Sequence, residues 1–278
     1  YIKRNSLDVY ARLTSIDAGI GGDDKLYGGT QGDYIVGGFG NDILGNAVSE
    51  VGSDDSRDFM IGDNATIVND DPDATDDFEI FTTNPTLGGV DTINGGGGDD
   101  VLIGGSGNTD ATGQLGDFIK GNLGNDIIFG DGAFITRNES DADVITLINT
   151  FDPQFGGNDQ IDYLSGNEGA DRIFGGTGDD RIDGGDGLDN DVIFGDNGFI
   201  GLTLNVNDME STFHAFGGVD WITGGPGVDI IIGGSGGNDI NGVGGDVISG
   251  NNGEDFLFGD GATFVFVKFV HYAESVFV

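Results

Sequence analysis

A nine-residue frame, Gly-Gly-x-Gly-x-Asp-x-aliphatic-x, recurs along the chain and limits its fold more than any other feature. Gly95–Ile103 (GGGGDDVLI) and Gly175–Asp183 (GGTGDDRID) are clean copies, and Gly28–Val36, Gly37–Gly45 and Gly224–Ile232 follow the same pattern. Residues seven to nine of each copy form a short strand, in which alternation sends only the middle side chain inward. That eighth position holds Leu26, Ile35, Leu44, Met60, Ile93, Leu102, Ile119, Ile128, Ile161, Ile173, Ile182, Ile193, Ile222, Ile231, Ile248 and Leu257, all apolar. Two such strands on opposite faces make one coil of about 18 residues, with stacked coils ~4.8 Å apart. A period of this length reads as a parallel solenoid.

The sixth position is acidic with the same regularity: Asp24, Asp33, Asp42, Asp58, Asp91, Asp100, Asp117, Asp126, Asp159, Asp171, Asp180, Asp191, Asp220, Asp229, Asp246 and Asp255. The glycines at positions one, two and four allow backbone angles closed to other residues, so a turn can aim its carbonyls at one point. A cation between two stacked turns would then take carbonyls and one Asp from each; Asp24 with Asp42 and Asp171 with Asp191 are pairs of this kind. Such hard oxygen donors suit calcium. The other reading is that each Asp only caps its turn by side-chain hydrogen bonds. That reading leaves columns of like charge ~5 Å apart. The chain carries 49 acidic and 10 basic residues, a net charge of −39, and roughly a dozen calcium ions would cancel more than half of it. A core of single Ile and Leu side chains, each contributing about 1.5–3 kcal/mol, is thin against the chain entropy of 56 glycines, so metal binding must supply the difference.

These nonapeptides resemble the RTX (repeats in toxin) family. The resemblance implies an all-β fold, a right-handed parallel β-roll with calcium in the turns. It also implies secretion from Gram-negative bacteria by a one-step exporter, and folding triggered by millimolar external calcium. The chain departs from the family in one respect. Its nonapeptides are interrupted about every 65 residues by apolar strands with no counterpart in the family pattern.

The interruptions form a longer period. Ile61-Gly62-Asp63-Asn64, Phe129-Gly130-Asp131-Gly132, Phe194-Gly195-Asp196-Asn197 and Phe258-Gly259-Asp260-Gly261 each open an arm, at glycine spacings of 68, 65 and 64. Units 1–62, 63–130, 131–195, 196–259 and the opening of another at 260–278 make one continuous solenoid. Tyr1–Asn5 aligns with Phe134–Asn138, so the chain starts and stops mid-phase, as expected of a piece of a longer array. Asp63, Asp131, Asp196 and Asp260 recur as strictly as the sixth-position acids and are either extra ligands or caps of the turn into the arm. Each arm reads as a β-hairpin, strand, polar loop (Asn69–Asp77 in one) and strand. The arm either folds over the outward Phe129, Phe194 or Phe258 that precedes it, or pairs edge to edge with the arm of a neighbouring chain.

Other chemistries are excluded by what the residues are. Gly233-Gly234-Ser235-Gly236-Gly237 fits the GxSxG string but lies in a repeat turn, not between a buried strand and a helix. The GxGxxG strings arise from the same repeat. There is no Cys, and His214 and His271 both fall in arms. Asp71-Pro72-Asp73-Ala74-Thr75 lacks the glycine of a helix-flanked calcium loop. At this charge nucleic acid and anionic membrane are poor partners, and no apolar stretch is long enough to span a bilayer. The expectation is a non-enzymatic, calcium-dependent segment of a large secreted bacterial protein forming a rod, filament, surface layer or adhesin stalk. Its partners are calcium ions and, through the arms, copies of itself or other surface proteins. The alternative is the carrier region of an RTX toxin or secreted enzyme.

Overall fold

Alternate nonapeptides go to different sheets. The structure, a computed structural model, describes residues 2–4, 10–45, 56–68, 78–84, 86–106, 115–138, 141–150, 161–202, 206–212, 217–234 and 245–267. Among these are 25 strands and no helix. One sheet, the outer sheet, holds in spatial order β3 (Lys25–Tyr27), β5 (Ile43–Gly45), β9 (Thr92–Gly97), β11 (Leu115–Leu123), β15 (Ile161–Glu168), β17 (Arg181–Gly185), β21 (Trp221–Pro226) and β23 (Val247–Asn252). The middle sheet holds β4 (Tyr34–Val36), β6 (Phe59–Ile61), β10 (Val101–Ile103), β12 (Ile127–Phe129), β16 (Arg172–Phe174), β18 (Val192–Phe194), β22 (Ile230–Ile232) and β24 (Phe256–Phe258). All pairings in both are parallel and, apart from a shift between Leu115 and Phe118 of β11 against β15, in register, so Ile93 stands beside Leu44 and Ile119, and Ile128 beside Leu102 and Ile173.

The eighth-position side chains fill the space between these two sheets as one continuous cluster. Met60, Leu102, Ile119, Ile128, Ile173, Ile193 and Ile231 are wholly buried. Leu26 and Ile248 are only half-buried, and Leu257 is 47% exposed. One assignment from the repeat shifts. Leu164, not Ile161, occupies the ladder, opposite Ile119 and Ile182. Two frames overlap here three residues apart, Asp159-Gln160-Ile161 and Asp162-Tyr163-Leu164. The second wins because it brings Tyr163 onto Phe118, rings stacked at 4.9 Å, and Gly166 into the turn against Asp171.

The interrupting strands build a third sheet. β1 (Ile2–Arg4), β2 (Tyr10–Thr14), β7 (Ala65–Val68), β8 (Phe78–Thr82), β13 (Ala133–Asn138), β14 (Asp141–Thr150), β19 (Gly198–Leu202), β20 (Val206–Ser211) and β25 (Thr263–Val267) lie side by side in that order. Between the end strands β1 and β25, each pairs antiparallel both within its own arm and with the next arm, as β7 with β8 and β8 with β13. The arm loop 69–77 lies outside the described residues. This arm sheet covers the middle sheet. Ile67, Ile80, Ile135, Ile148 and Ile200 pack on Ile61, Ile103, Phe129, Phe174 and Phe194 as a second core. The Phe129, Phe174 and Phe194 rings stack in a column at 4.7 and 4.9 Å. Arm edges therefore meet inside the chain, and Phe129 and Phe194, each 1% exposed, are shielded by the arms. The central strands of the middle sheet, β6, β10 and β12, are buried on both faces, which is why their seventh and ninth positions are apolar as well as their eighth; Arg172 on β16 is the exception among the sheet's seventh positions.

If the arms are integral to the fold, trimming either core should cost the same. Ile128→Val in the coil and Ile135→Val in the arm sheet, both wholly buried, are each expected to lower the unfolding free energy by about 1 kcal/mol. Urea denaturation checks this. No cost at Ile135 would mean that the arms hang free.

Candidate metal sites along the coil edges

At each edge of the coil the sixth-position acids stand in an unbroken file, because every turn delivers its Asp just before a strand of fixed register. Where chain passes from the middle to the outer sheet, the file is Asp24, Asp42, Asp91, Asp117, Asp162, Asp180, Asp220 and Asp246. Each backbone N–H donates to Oδ1 of the next acid, at 2.7 Å for Asp24 to Asp42 and 2.6 Å for Asp117 to Asp162. Where it passes from the outer to the middle sheet, the file is Asp33, Asp58, Asp100, Asp126, Asp171, Asp191, Asp229 and Asp255, bonded the same way at 2.7 to 3.1 Å. The pairs Asp24–Asp42 and Asp171–Asp191 are adjacent in these files. Asp162 stands where the repeat pointed to Asp159, which lies outside the described residues.

From Asp42 and Asp58 onward, Oδ1 of each acid in the files is thus used as a cap. Oδ2 of Asp42, Asp91, Asp126, Asp171, Asp180, Asp220 and Asp229 is buried without a hydrogen-bond partner. It lies against the first glycine of its turn, beside the carbonyl of the corresponding glycine one coil on. A Cβ on Gly95 would fall 2.6 Å from Asp100 Oδ2 and 2.8 Å from the Gly121 oxygen. The first glycine is therefore required by space. The second and fourth also need the angle: Gly96 and Gly98 have φ of 102° and 112°, and Gly176 and Gly178 have 110° and 128°; the fourth is closed by space too, since a Cβ on Gly98 would run into the Ser56 carbonyl. In the second position Asn122, Asn167 and Asn251 also adopt positive φ, in register with Gly96, Gly185 and Gly225.

A buried carboxylate with a bare oxygen resists ionisation. Burial, then the Asp42 and Asp23 charges, push Asp91 up to about 8 against an accepted hydrogen bond from Asp42. Burial and the Asp196 charge push Asp220 to about 9. Burial raises Asp126 and Asp171 to about 7 and Asp191 to about 8. Asp117, Asp162 and Asp180 lie well above the ordinary range, driven by burial and then by neighbouring acids. These three sit on the edge from which the arms leave and to which they return. A divalent cation would remove the penalty, and the donors present, carboxylate and glycine carbonyl oxygens, are those calcium takes. Among the described residues no three of His, Cys, Asp and Glu gather closely enough to hold a metal by side chains alone, so carbonyls must complete any site.

The acids that open the arms act first as staples. Asp63 Oδ1 accepts from Gly89 N–H at 3.0 Å, and Asp196 Oδ1 from Gly218 N–H at 2.9 Å, tying arm entry to arm exit. Asp131 Oδ2 accepts from both the N–H (2.6 Å) and the hydroxyl (2.7 Å) of Thr177 on a following coil. Asp63 is buried, and Asp260 is exposed. The repeat also hid a further file in its unassigned fifth position. Asp23 accepts from Asn41 N–H and Asn41 from Val90 N–H, both at 3.0 Å. Asp99 accepts from Asn125 N–H at 2.8 Å and Asn125 from Ala170 N–H at 2.9 Å. The recurrence of Asp or Asn there is the signal that could have revealed it.

The family model for the RTX calcium-binding nonapeptide repeat (4 copies) matches residues 19–44, 86–109, 112–133, 156–189, 214–246 and 242–262, more than half of the chain. The chain belongs to the RTX calcium-binding nonapeptide repeat family. It is accordingly a calcium-binding repeat region. The matched segments carry most of the coil turns, those of Asp58 and Asp191 excepted, and the strand pairs β7–β8, β13–β14 and β19–β20 fall largely between them. No curated protein and no solved structure matches the chain.

Proposed function

We propose that both edge files, with Asp63, Asp131, Asp196 and Asp260 beside them, hold calcium. The chain is then a calcium-stiffened, right-handed solenoid segment of a large secreted bacterial protein, serving as an extracellular rod, filament, surface layer or adhesin stalk. The observation that carries this is the column of buried Asp Oδ2 atoms without hydrogen-bond partners, those of Asp42, Asp91, Asp126, Asp171, Asp180 and Asp220 each beside a glycine carbonyl. The fold supports the structural role over an enzyme's carrier region, because the arm sheet runs beside the coil as a second continuous layer. Its nine strands are knitted along the same axis as the stacked coils. Export before folding follows from the same physics: without calcium the acids repel, and the chain stays extended until it meets the outside medium.

Circular dichroism at neutral pH tests this directly. β structure is expected in millimolar calcium, and coil after addition of EGTA. A spectrum indifferent to EGTA would count against metal-driven folding. Electron microscopy of the parent protein separates a polymer from a soluble carrier.

A further inference from the structure

The arm sheet covers one side of the coil, and nothing in the chain's described residues covers the other. The outward positions of the outer sheet form two columns in register. One runs Ile43, Thr92, Phe118, Tyr163, Arg181, Trp221 and Val247; the other contains Lys120, Ser165 and Asp183 on β11, β15 and β17. They frame an open groove of about 650 Å³. Phe118 is 37% exposed, Trp221 45% and Val247 52%. Arg181 lies over the Trp221 ring at 4.0 Å, and Phe118 stacks on Tyr163. The face also breaks with the chain's charge. Its outward positions carry Lys25, Lys120 and Arg181 against Asp183 alone, in a chain of 10 basic and 49 acidic residues.

The order of residues along this face is self-complementary. Consider a two-fold axis between two copies, running along β15. It reverses the order of strands and leaves each column facing its own copy. Tyr163 and Ser165 then meet themselves. One step away, Lys120 meets Asp183, and Phe118 meets Arg181. Two steps away, Thr92 meets Trp221, and three steps away, Ile43 meets Val247. No like charges face each other, and the apolar ends meet apolar ends. Self-complementarity of this kind is what an isologous contact requires. The seven strands involved span about 29 Å at ~4.8 Å each.

We propose that the outer sheet docks on the outer sheet of a second copy about β15, with the two coil axes antiparallel. Lateral association of the rod then uses this bare face, not the arms, whose inner edges are taken. The pairing rests on the calcium-folded coil, since two chains of −39 approach only when their edges are neutralised.

Sedimentation in millimolar calcium is expected to show a concentration-dependent dimer. Lys120→Asp and Asp183→Lys should each weaken it at least ~100-fold, because every substitution acts twice across the axis. The double variant should recover most of the loss. In this Cys-free chain Ser165→Cys, on the axis, should cross-link two chains on oxidation, whereas Ser249→Cys, three strands away, should not. A calcium-folded monomer with intact β dichroism overturns the pairing alone and leaves the face to a partner of other chemistry. So does equal cross-linking at both Cys positions. Absence of calcium-dependent dichroism would instead sink the reading of the edge files.

Discussion

Without divalent cations the protein is expected to be most stable in mild acid and to unfold as the pH rises through neutrality; millimolar calcium should reverse that dependence. The sign follows from the edge files. Asp126 and Asp171 rise from 3.8 to about 7, Asp91 to about 8 and Asp220 to about 9. Between pH 4 and those values the folded chain binds more protons than the unfolded one, so stability falls with each step of pH. Below the unfolded value there is no penalty, and above the folded value it is complete. At about 1.4 kcal/mol per pKa unit, Asp126 and Asp171 alone cost about 4 kcal/mol apiece above neutrality. That sum already rivals the whole margin of about 5–15 kcal/mol for an ordinary domain. Calcium takes only the ionised carboxylate, so its binding strengthens over the same window in which protons leave. Chemical denaturation at pH 5 and pH 8, each with calcium and with EGTA, measures both slopes. A calcium-free protein more stable at pH 8 than at pH 5 would show that the bare Oδ2 atoms are solvated after all.

Much of this was legible in the residues because the two repeating tasks, burying one side chain and placing one carboxylate, recur at fixed positions. The eighth-position ladder and the pairing of alternate acids followed from the nine-residue frame. The shift from Ile161 to Leu164 did not, since Asp159-Gln160-Ile161 satisfies the same pattern; only the neighbouring strands choose between them. The arm sheet was half visible. The arm strands could be read from their apolar runs, but their pairing from one arm to the next depends on contacts some 50 residues apart, such as Ile80 with Ile135. A signal for it existed. The triplets Val101-Leu102-Ile103, Ile127-Ile128-Phe129 and Ile230-Ile231-Ile232 are apolar throughout, whereas Thr92-Ile93-Asn94 and Arg181-Ile182-Asp183 are not. A continuous apolar strand is one covered on both faces, so something had to lie over every second nonapeptide.

The sharpest single test of the turn lies in two neighbouring residues, Gly121 and Asn122. Gly121 is the first residue of its frame, and an added Cβ would fall 2.9 Å from the Gly166 oxygen and closer still to Asp126 Oδ2. Neither can move away. The carbonyl belongs to the stacked coil, and the carboxylate is fixed by the hydrogen bond it accepts from Asp100 N–H at 2.8 Å. Gly121→Ala is therefore expected to cost at least ~3 kcal/mol in calcium, through overpacking. It should also weaken calcium binding, since the methyl occupies the point where the two oxygens converge. Asn122 stands in the second position at φ 81°, where the need is for an angle and not for space. Asn122→Gly, and the converse Gly96→Asn on the adjacent strand, should each change stability by less than about 1 kcal/mol. Urea midpoints in calcium, with calcium affinity measured by calorimetry, compare the three. If Gly121→Ala proves as mild as the two second-position changes, the turns do not close around a shared point. The glycines would then serve chain flexibility alone.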